Sequence, residues 1–161
     1  MPILTTDIKF YKSTGGLGGA ITVTEITSGN LHDLFDEVSS PEALAGDTEY
    51  RCIYAKNTHG TLSLTDAVAY ILSASSNPEN TISIGAGTSA VNDVEQVIGN
   101  EGIVPTGVVF QTSTGSGNSV VLGTLPAGEY KAIWLGRLTA SSAAAVSNAS
   151  ASIEVEGDTV G

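Results

Sequence analysis

Two short runs constrain this chain more than any other feature. Residues 50–55 (YRCIYA) and 130–135 (YKAIWL) carry apolar side chains on both faces of an extended backbone. In the first run Tyr50, Cys52 and Tyr54 share one face and Ile53 and Ala55 the other. In the second, Tyr130, Ala132 and Trp134 oppose Ile133 and Leu135. Successive strand residues point to opposite faces, so a strand covered on one side alternates apolar with polar. A strand apolar on both sides must be covered twice. Either the protein's own loops cover the outer face, the Ala/Ser-rich residues 139–150 being the candidate, or that face is a subunit or partner interface. Tyr50, Cys52, Tyr54, Tyr130, Ile133, Trp134 and Leu135 are therefore core or interface residues on either reading.

The rest of the chain is β-patterned at short spacing. Residues 7–12 (DIKFYK) and 20–27 (AITVTEIT) alternate around the glycine-rich turn 13–19, which predicts an N-terminal hairpin or a strand that breaks and changes sheets. Strands are expected over 48–57 and 61–73, joined at the turn residues Asn57-Thr58-His59-Gly60 as a central strand pair. Further strands are expected over 81–85, 93–98 (weak), 107–112, 119–122, 129–138 and 151–156, with 113–118 as a hairpin loop. Residues 28–46 break the pattern. Ser40 as N-cap, Pro41 in the first helical position and Gly46 as the stop predict one short helical turn. Leu31, Leu34, Phe35 and Val38 recur at helical spacing and suggest a second. Many short strands with Gly- and Pro-bearing turns imply an all-β fold, an immunoglobulin-like antiparallel β-sandwich with one or two short helical turns. With 161 residues it is read as a single domain over 1–161, with 28–46 and 139–150 as excursions. Tyr130, just inside a late strand after a tight turn, is placed like the tyrosine corner of such sandwiches. Ala132 then stands where the second domain cysteine would, and Cys52 near the first.

Charge and motifs narrow the function classes. Seventeen acidic residues oppose six basic ones, a net charge of −11. The cations are scattered, so the clustered Lys and Arg that phosphate contacts require are missing, and no direct nucleic-acid binding is expected. The anionic surface suits a basic partner. Cys52 is the sole cysteine and sits mid-strand between tyrosines, as packing rather than as a nucleophile. The N-terminus lacks a basic start followed by an apolar run, so synthesis in a cytosol without export is expected, and no segment suits a membrane. His32 with Asp33, Asp36 and Glu37 offers too few ligands for zinc, and no calcium loop spacing occurs. His59 is read as a turn residue. Gly15-Gly16-Leu17-Gly18-Gly19 and Gly85-Ala86-Gly87-Thr88 lack the Lys and the following helix of a phosphate loop. The carboxylate pairs Asp93/Glu95 and Glu154/Glu156 read as solvated strand edges. No catalytic, cofactor or metal site is assigned, and the expectation is a protein that is not an enzyme.

Residues 46–58 (GDTEYRCIYAKNT) resemble a segment of small structural proteins of tailed bacteriophages. Residues 81–85 (TISIG) followed by Gly87-Thr88-Ser89, 125–134 (LPAGEYKAIW) and 155–159 (VEGDT) extend the resemblance over about residues 4–159. It implies a virion structural protein, most of all a capsid decoration or cement protein that binds and stabilises the assembled head as a homo-oligomer. Its partners would be the major capsid protein or other virion proteins. A neck or tail component is the alternative, and a carbohydrate-binding surface module a weaker one. The resemblance carries fold motifs and no catalytic residues.

Overall fold

Nine strands and one helix account for the regular structure of the computed structural model, which describes residues 2–146 and 148–159. Met1 of the N-terminal reading and Ser147 of the 139–150 excursion lie outside the described residues. The strands are β1 (Ile8–Ser13), β2 (Ile21–Glu25), β3 (Asp47–Asn57), β4 (Leu64–Ser73), β5 (Asn80–Ala86), β6 (Phe110–Gln111), β7 (Val120–Leu125), β8 (Tyr130–Thr139) and β9 (Ser152–Thr159), with α1 at Ser40–Ala45. They form two sheets, one of six strands in the order β2-β1-β3-β8-β5-β6 and one of three, β7-β4-β9. Every strand pair is antiparallel. The chain is a β-sandwich.

The two doubly apolar runs fall on β3 and β8, which lie side by side at the centre of the large sheet. Their register runs unbroken from Asp47↔Thr139 to Lys56↔Tyr130. Ile53, Ala55, Ile133 and Leu135 face the small sheet and pack with Leu64, Ala67, Ala69, Ile71, Ile84, Val120, Leu122 and Leu125. This is the inter-sheet core, one layer of alternating residues from each sheet.

Two features of the immunoglobulin pattern do not carry over. Cys52 and Ala132 lie on neighbouring strands of one sheet, Cys52 opposite Trp134 and Ala132 opposite Tyr54, and do not face each other across the sandwich. The hydroxyl anchored to backbone belongs to Tyr54, which donates to Gly19 O at 2.5 Å and accepts from Glu95 N–H at 3.0 Å. Tyr130 is half-buried, its ring edge-on to Tyr54 with centroids 5.2 Å apart.

Residues 46–71 supply a central strand to each sheet rather than a strand pair. β3 pairs with β1 and β8, and β4 with β7 and β9. The crossing is held by Asn57, which is fully buried. Its amide donates to Leu62 O and Leu125 O, and its side-chain oxygen accepts from His59 N–H. His59 Nδ1 in turn accepts from the Thr61 and Leu62 amides. A hairpin would leave no role for so many inward hydrogen bonds. For the same reason residues 113–118 are not a hairpin loop: β6 and β7 belong to different sheets, and Thr114 makes an isolated parallel bridge to Ile71.

The helix begins one residue earlier than the sequence implies. Ser39 is the N-cap, because Glu42 three residues on closes a capping box: Ser39 Oγ accepts from Glu42 N–H and Glu42 Oε2 from Ser39 N–H. Gly46, at φ 79°, ends it. Residues 31–35 form turns and bends and 36–38 are irregular, not a helix, and residues 93–98 contribute a single bridge, Gly19↔Glu95, in place of the weak strand.

Candidate functional site

The outer face of β3 and β8 is covered by the protein itself. Cys52, Tyr54, Ala132, Trp134 and Ile98 are buried there against Leu17, Ile21, Tyr50, Val108, Phe110 and Tyr130. The cover comes from the glycine-rich turn after β1 and from residues 91–110, not from the Ala/Ser-rich segment. The site residues named from sequence thus divide between the two faces of one strand pair. Ile133 and Leu135 meet the other sheet, whereas Tyr50, Cys52, Tyr54, Tyr130 and Trp134 lie under the loops. An interface formed directly by the latter face would require these loops to move.

Glu95 holds the cover down. Only 2% of it is exposed. One carboxylate oxygen accepts from Thr88 N–H (3.2 Å), Thr88 Oγ1 (3.0 Å) and the Trp134 indole N–H (3.3 Å). The other accepts from Ser89 N–H (2.8 Å) and Ser89 Oγ (2.7 Å). The Glu95 backbone continues the network, donating to Tyr54 Oη and accepting from Gly19 N–H. Burial alone would raise the pKa. The hydrogen bonds from Ser89, Trp134 and Thr88 outweigh it and pull the pKa down to about 2. Two glycines permit this approach. A Cβ on Gly87 would lie 2.5 Å from Glu95 Oε2 and 2.6 Å from Ala132 Cβ, and one on Gly18, where φ is +97°, would lie 1.8 Å from Gln96 O. The turn at Gly87-Thr88-Ser89 is thus an anion-binding turn after all, filled from within by a side chain. The pairing of Asp93 with Glu95 as a solvated edge is corrected in the same way: Asp93 is exposed and Glu95 is buried.

A second polar cluster lies on the inner face of the same strand pair, past the end of the apolar core. Glu49 is also 2% exposed. Its carboxylate accepts from both Arg137 Nε (2.7 Å) and Arg137 Nη2. Arg51 reaches Glu101, Asp36 (3.4 Å) and Glu49 (3.7 Å). Phe35 stacks beneath both guanidinium groups, 4.9 Å from Arg137 and 5.7 Å from Arg51. Arg137 also donates to Asp36 O at 2.8 Å, so the cluster ties residues 35–36 of the irregular segment to the sheet. Burial raises the Glu49 pKa to about 6 against the pull of Arg137, and the Asp36 carboxylate adds to the rise. Oxygens of Asp36, Glu49 and Glu101 lie within 4.8 Å of one another, a spacing that could hold a metal ion. The two guanidinium groups already occupy the cationic positions among them, so the donor set fits arginine better than a metal.

Cys52 is fully buried. Burial, helped by the nearby Glu95 charge, pushes its thiol up to about 12, which removes the thiolate at neutral pH. Tyr54 is likewise pushed up to about 12 by burial. Lys131 is lowered by burial, and its ammonium donates to Ser89 O beside the Glu95 turn. Sequence reasoning missed Glu95, Glu49 and the two arginines as partners. The only local signal was two hydroxyl residues following Gly87, and the ion pairs join residues up to 101 positions apart. No helix among the described residues is long and apolar enough to cross a membrane. No known protein family, curated protein or solved structure is significantly similar to this chain.

Proposed function

We propose that this chain is a non-enzymatic structural protein of a tailed-phage virion, a decoration or cement protein that binds the assembled head. The observation that carries the reading is the use to which the buried ionisable groups are put. Glu95, Arg51 and Arg137 each bind loop segments onto the central strand pair, and Glu49 holds Arg137 in place, so polar chemistry in the interior serves rigidity. Such a body suits a component that must keep its shape on a large assembly. The sequence resemblance supplies the phage context, and the acidic surface suits a basic shell. A ligand of the assembled state stabilises it by mass action, so the bound protein would resist head disassembly.

The test is mass spectrometry of purified particles together with heat resistance of filled heads. Decoration requires a copy number of hundreds and heads that lose heat resistance when the protein is stripped. A dozen copies or fewer, with unchanged head stability, would favour a neck or tail component instead. Absence from particles would end the virion reading.

A further inference from the structure

The two sheets are finished differently on their outer faces. The large sheet lies under its own loops. On the small sheet, Val68, Tyr70 and Leu72 of β4, Val121 of β7 and Glu154 and Glu156 of β9 share the outward side, by the register Val68↔Val121, Val68↔Glu156 and Tyr70↔Glu154. Leu72 is 52% exposed and Val121 71% exposed. Between them Tyr70 is nearly buried, and its hydroxyl donates to Glu156 at 3.3 Å. The three strands carry four carboxylates (Asp66, Glu154, Glu156 and Asp158) and no Lys or Arg. Cations elsewhere are engaged: Lys9 pairs with Glu25, Lys12 with Asp33, Arg51 and Arg137 lie in the inner cluster, Lys131 bonds Ser89 O, and Lys56 lies over the Tyr11 ring.

We infer that the outer face of β7-β4-β9 is a docking surface for a basic protein partner, one that presents Lys or Arg side chains around an apolar centre. Charge complementarity selects this occupant. A second copy would set Glu154 and Glu156 against their equivalents with no Lys or Arg on the strands of either face. An anionic membrane surface would be repelled in the same way. Apolar contact with Leu72, Val121 and Val68 would supply affinity, and Glu154 and Glu156 would supply register and on-rate. The inference deepens the assembly reading, on which it rests for where the partner resides.

The direct test uses three synthetic strand-forming peptides: alternating Lys/Val, alternating Lys/Ser and alternating Glu/Val. Binding to the full chain is followed by calorimetry and by NMR amide shifts. The Lys/Val peptide should bind at least about ten-fold tighter than either control, with shifts confined to β4, β7 and β9. Leu72→Ser with Val121→Ser should weaken it about ten-fold while leaving the melting temperature unchanged, since both side chains are exposed. Glu154→Gln with Glu156→Gln should weaken it and flatten its salt dependence. Equal binding of the Lys/Ser peptide, shifts spread over the acidic surface, or wild-type affinity in the Leu72/Val121 variant would overturn the inference. So would concentration-dependent dimerisation through this face, or binding to anionic vesicles that the same variant abolishes. Particle incorporation separates the two claims. Face variants that still load at full copy number refute the docking face and leave the virion reading intact. Specific peptide binding by a protein absent from particles does the reverse.

Discussion

Glu95 and Glu49 are equally buried, lie on opposite sides of one strand pair, and are pushed in opposite directions. Glu95 has no guanidinium against it. Its five donors are neutral, and two of them are backbone amides of one turn. Glu49 has the cation, yet its pKa rises. The difference lies in how many partners each oxygen keeps for itself. Glu95 has both oxygens saturated by donors that the fold holds in place. Glu49 takes its hydrogen bonds from Arg137, shares Arg51 with Asp36 and Glu101, and feels the Asp36 charge as well. A full set of neutral hydrogen bonds holds a buried charge better here than a contested ion pair, because Asp36 works against Arg137 and the desolvation of Glu49 itself is left uncompensated.

The largest expected effects break the comparison outright. Trp134→Ala empties the floor beneath Glu95 and should cost about 3–5 kcal/mol, as large-to-small aromatic changes in cores do. A melting temperature within a degree or two of wild type would show that the outer-face cluster is not a core. Glu95→Ala leaves the Thr88, Ser89 and Trp134 donors facing a gap and should cost roughly 3–4 kcal/mol, with the Trp134 emission shifted to the red as the cover lifts. Denaturant titration read by circular dichroism measures both, and fluorescence follows Glu95→Ala alone, because Trp134 is the single tryptophan of the sequence.

Substitution of a pair sharpens it. Glu49→Ala alone should cost about 2–4 kcal/mol, because Arg137 is then buried without its partner. Glu49→Leu combined with Arg137→Leu should recover most of that loss, since an apolar pair needs no counter-charge. No single second change should rescue Glu95→Leu, whose donors come from three residues. If Glu95→Leu is rescued by Thr88→Val alone, Glu95 is not held jointly by Thr88, Ser89 and Trp134.

The pH dependence separates the two carboxyls further. The depressed Glu95 pKa contributes stability that is present above the unfolded value near 4.5 and is lost as pH falls toward 2. The raised Glu49 pKa acts the other way. Its contribution is full below about 4.5 and is lost as pH rises through about 6. Glu95→Gln should therefore flatten the acid limb of a stability-versus-pH curve, and Glu49→Gln the limb between 4.5 and 6. Exchange of these two signatures would refute both assignments. The smallest expected effect is a null one. Cys52 should resist thiol reagents in the native state at neutral pH and react only after unfolding, and labelling at the rate of a free thiol would deny its burial.

Alternation in the sequence reports which faces of a strand are covered, and it located β3 and β8 within a residue or two. It does not report which strand lies alongside. That is why β3 and β4 read as a pair although they belong to different sheets, and why residues 113–118 read as a hairpin. Pairing between β3 and β8 or between β4 and β9 joins segments far apart in the chain and leaves no local trace. Helical spacing misled at residues 31–38, where Leu34 and Phe35 are drawn toward the inter-sheet core and the arginines, and this contact fixes the backbone. The N-cap was misplaced because Ser39 and Ser40 are chemically equal, and only the reach of Glu42 distinguishes them. Glu95 was legible least of all. A carboxylate is solvated by default, and its burial depends on a turn seven residues away in the chain and an indole on another strand.

The central position of β3 has a consequence in time. As the chain leaves the ribosome, β3 emerges early and can pair at once only with β1, while β8, its other neighbour, is still to be made. At about 5–20 residues per second, β3 waits several seconds with two apolar faces and a free edge. Neither sheet can close before residue 130 appears, because β8 also carries β5, and β9, which completes the small sheet, follows later still. Completion of both sheets therefore waits on the last two strands in chain order, and until they appear the apolar faces of β3 and β4 are open to neighbouring chains.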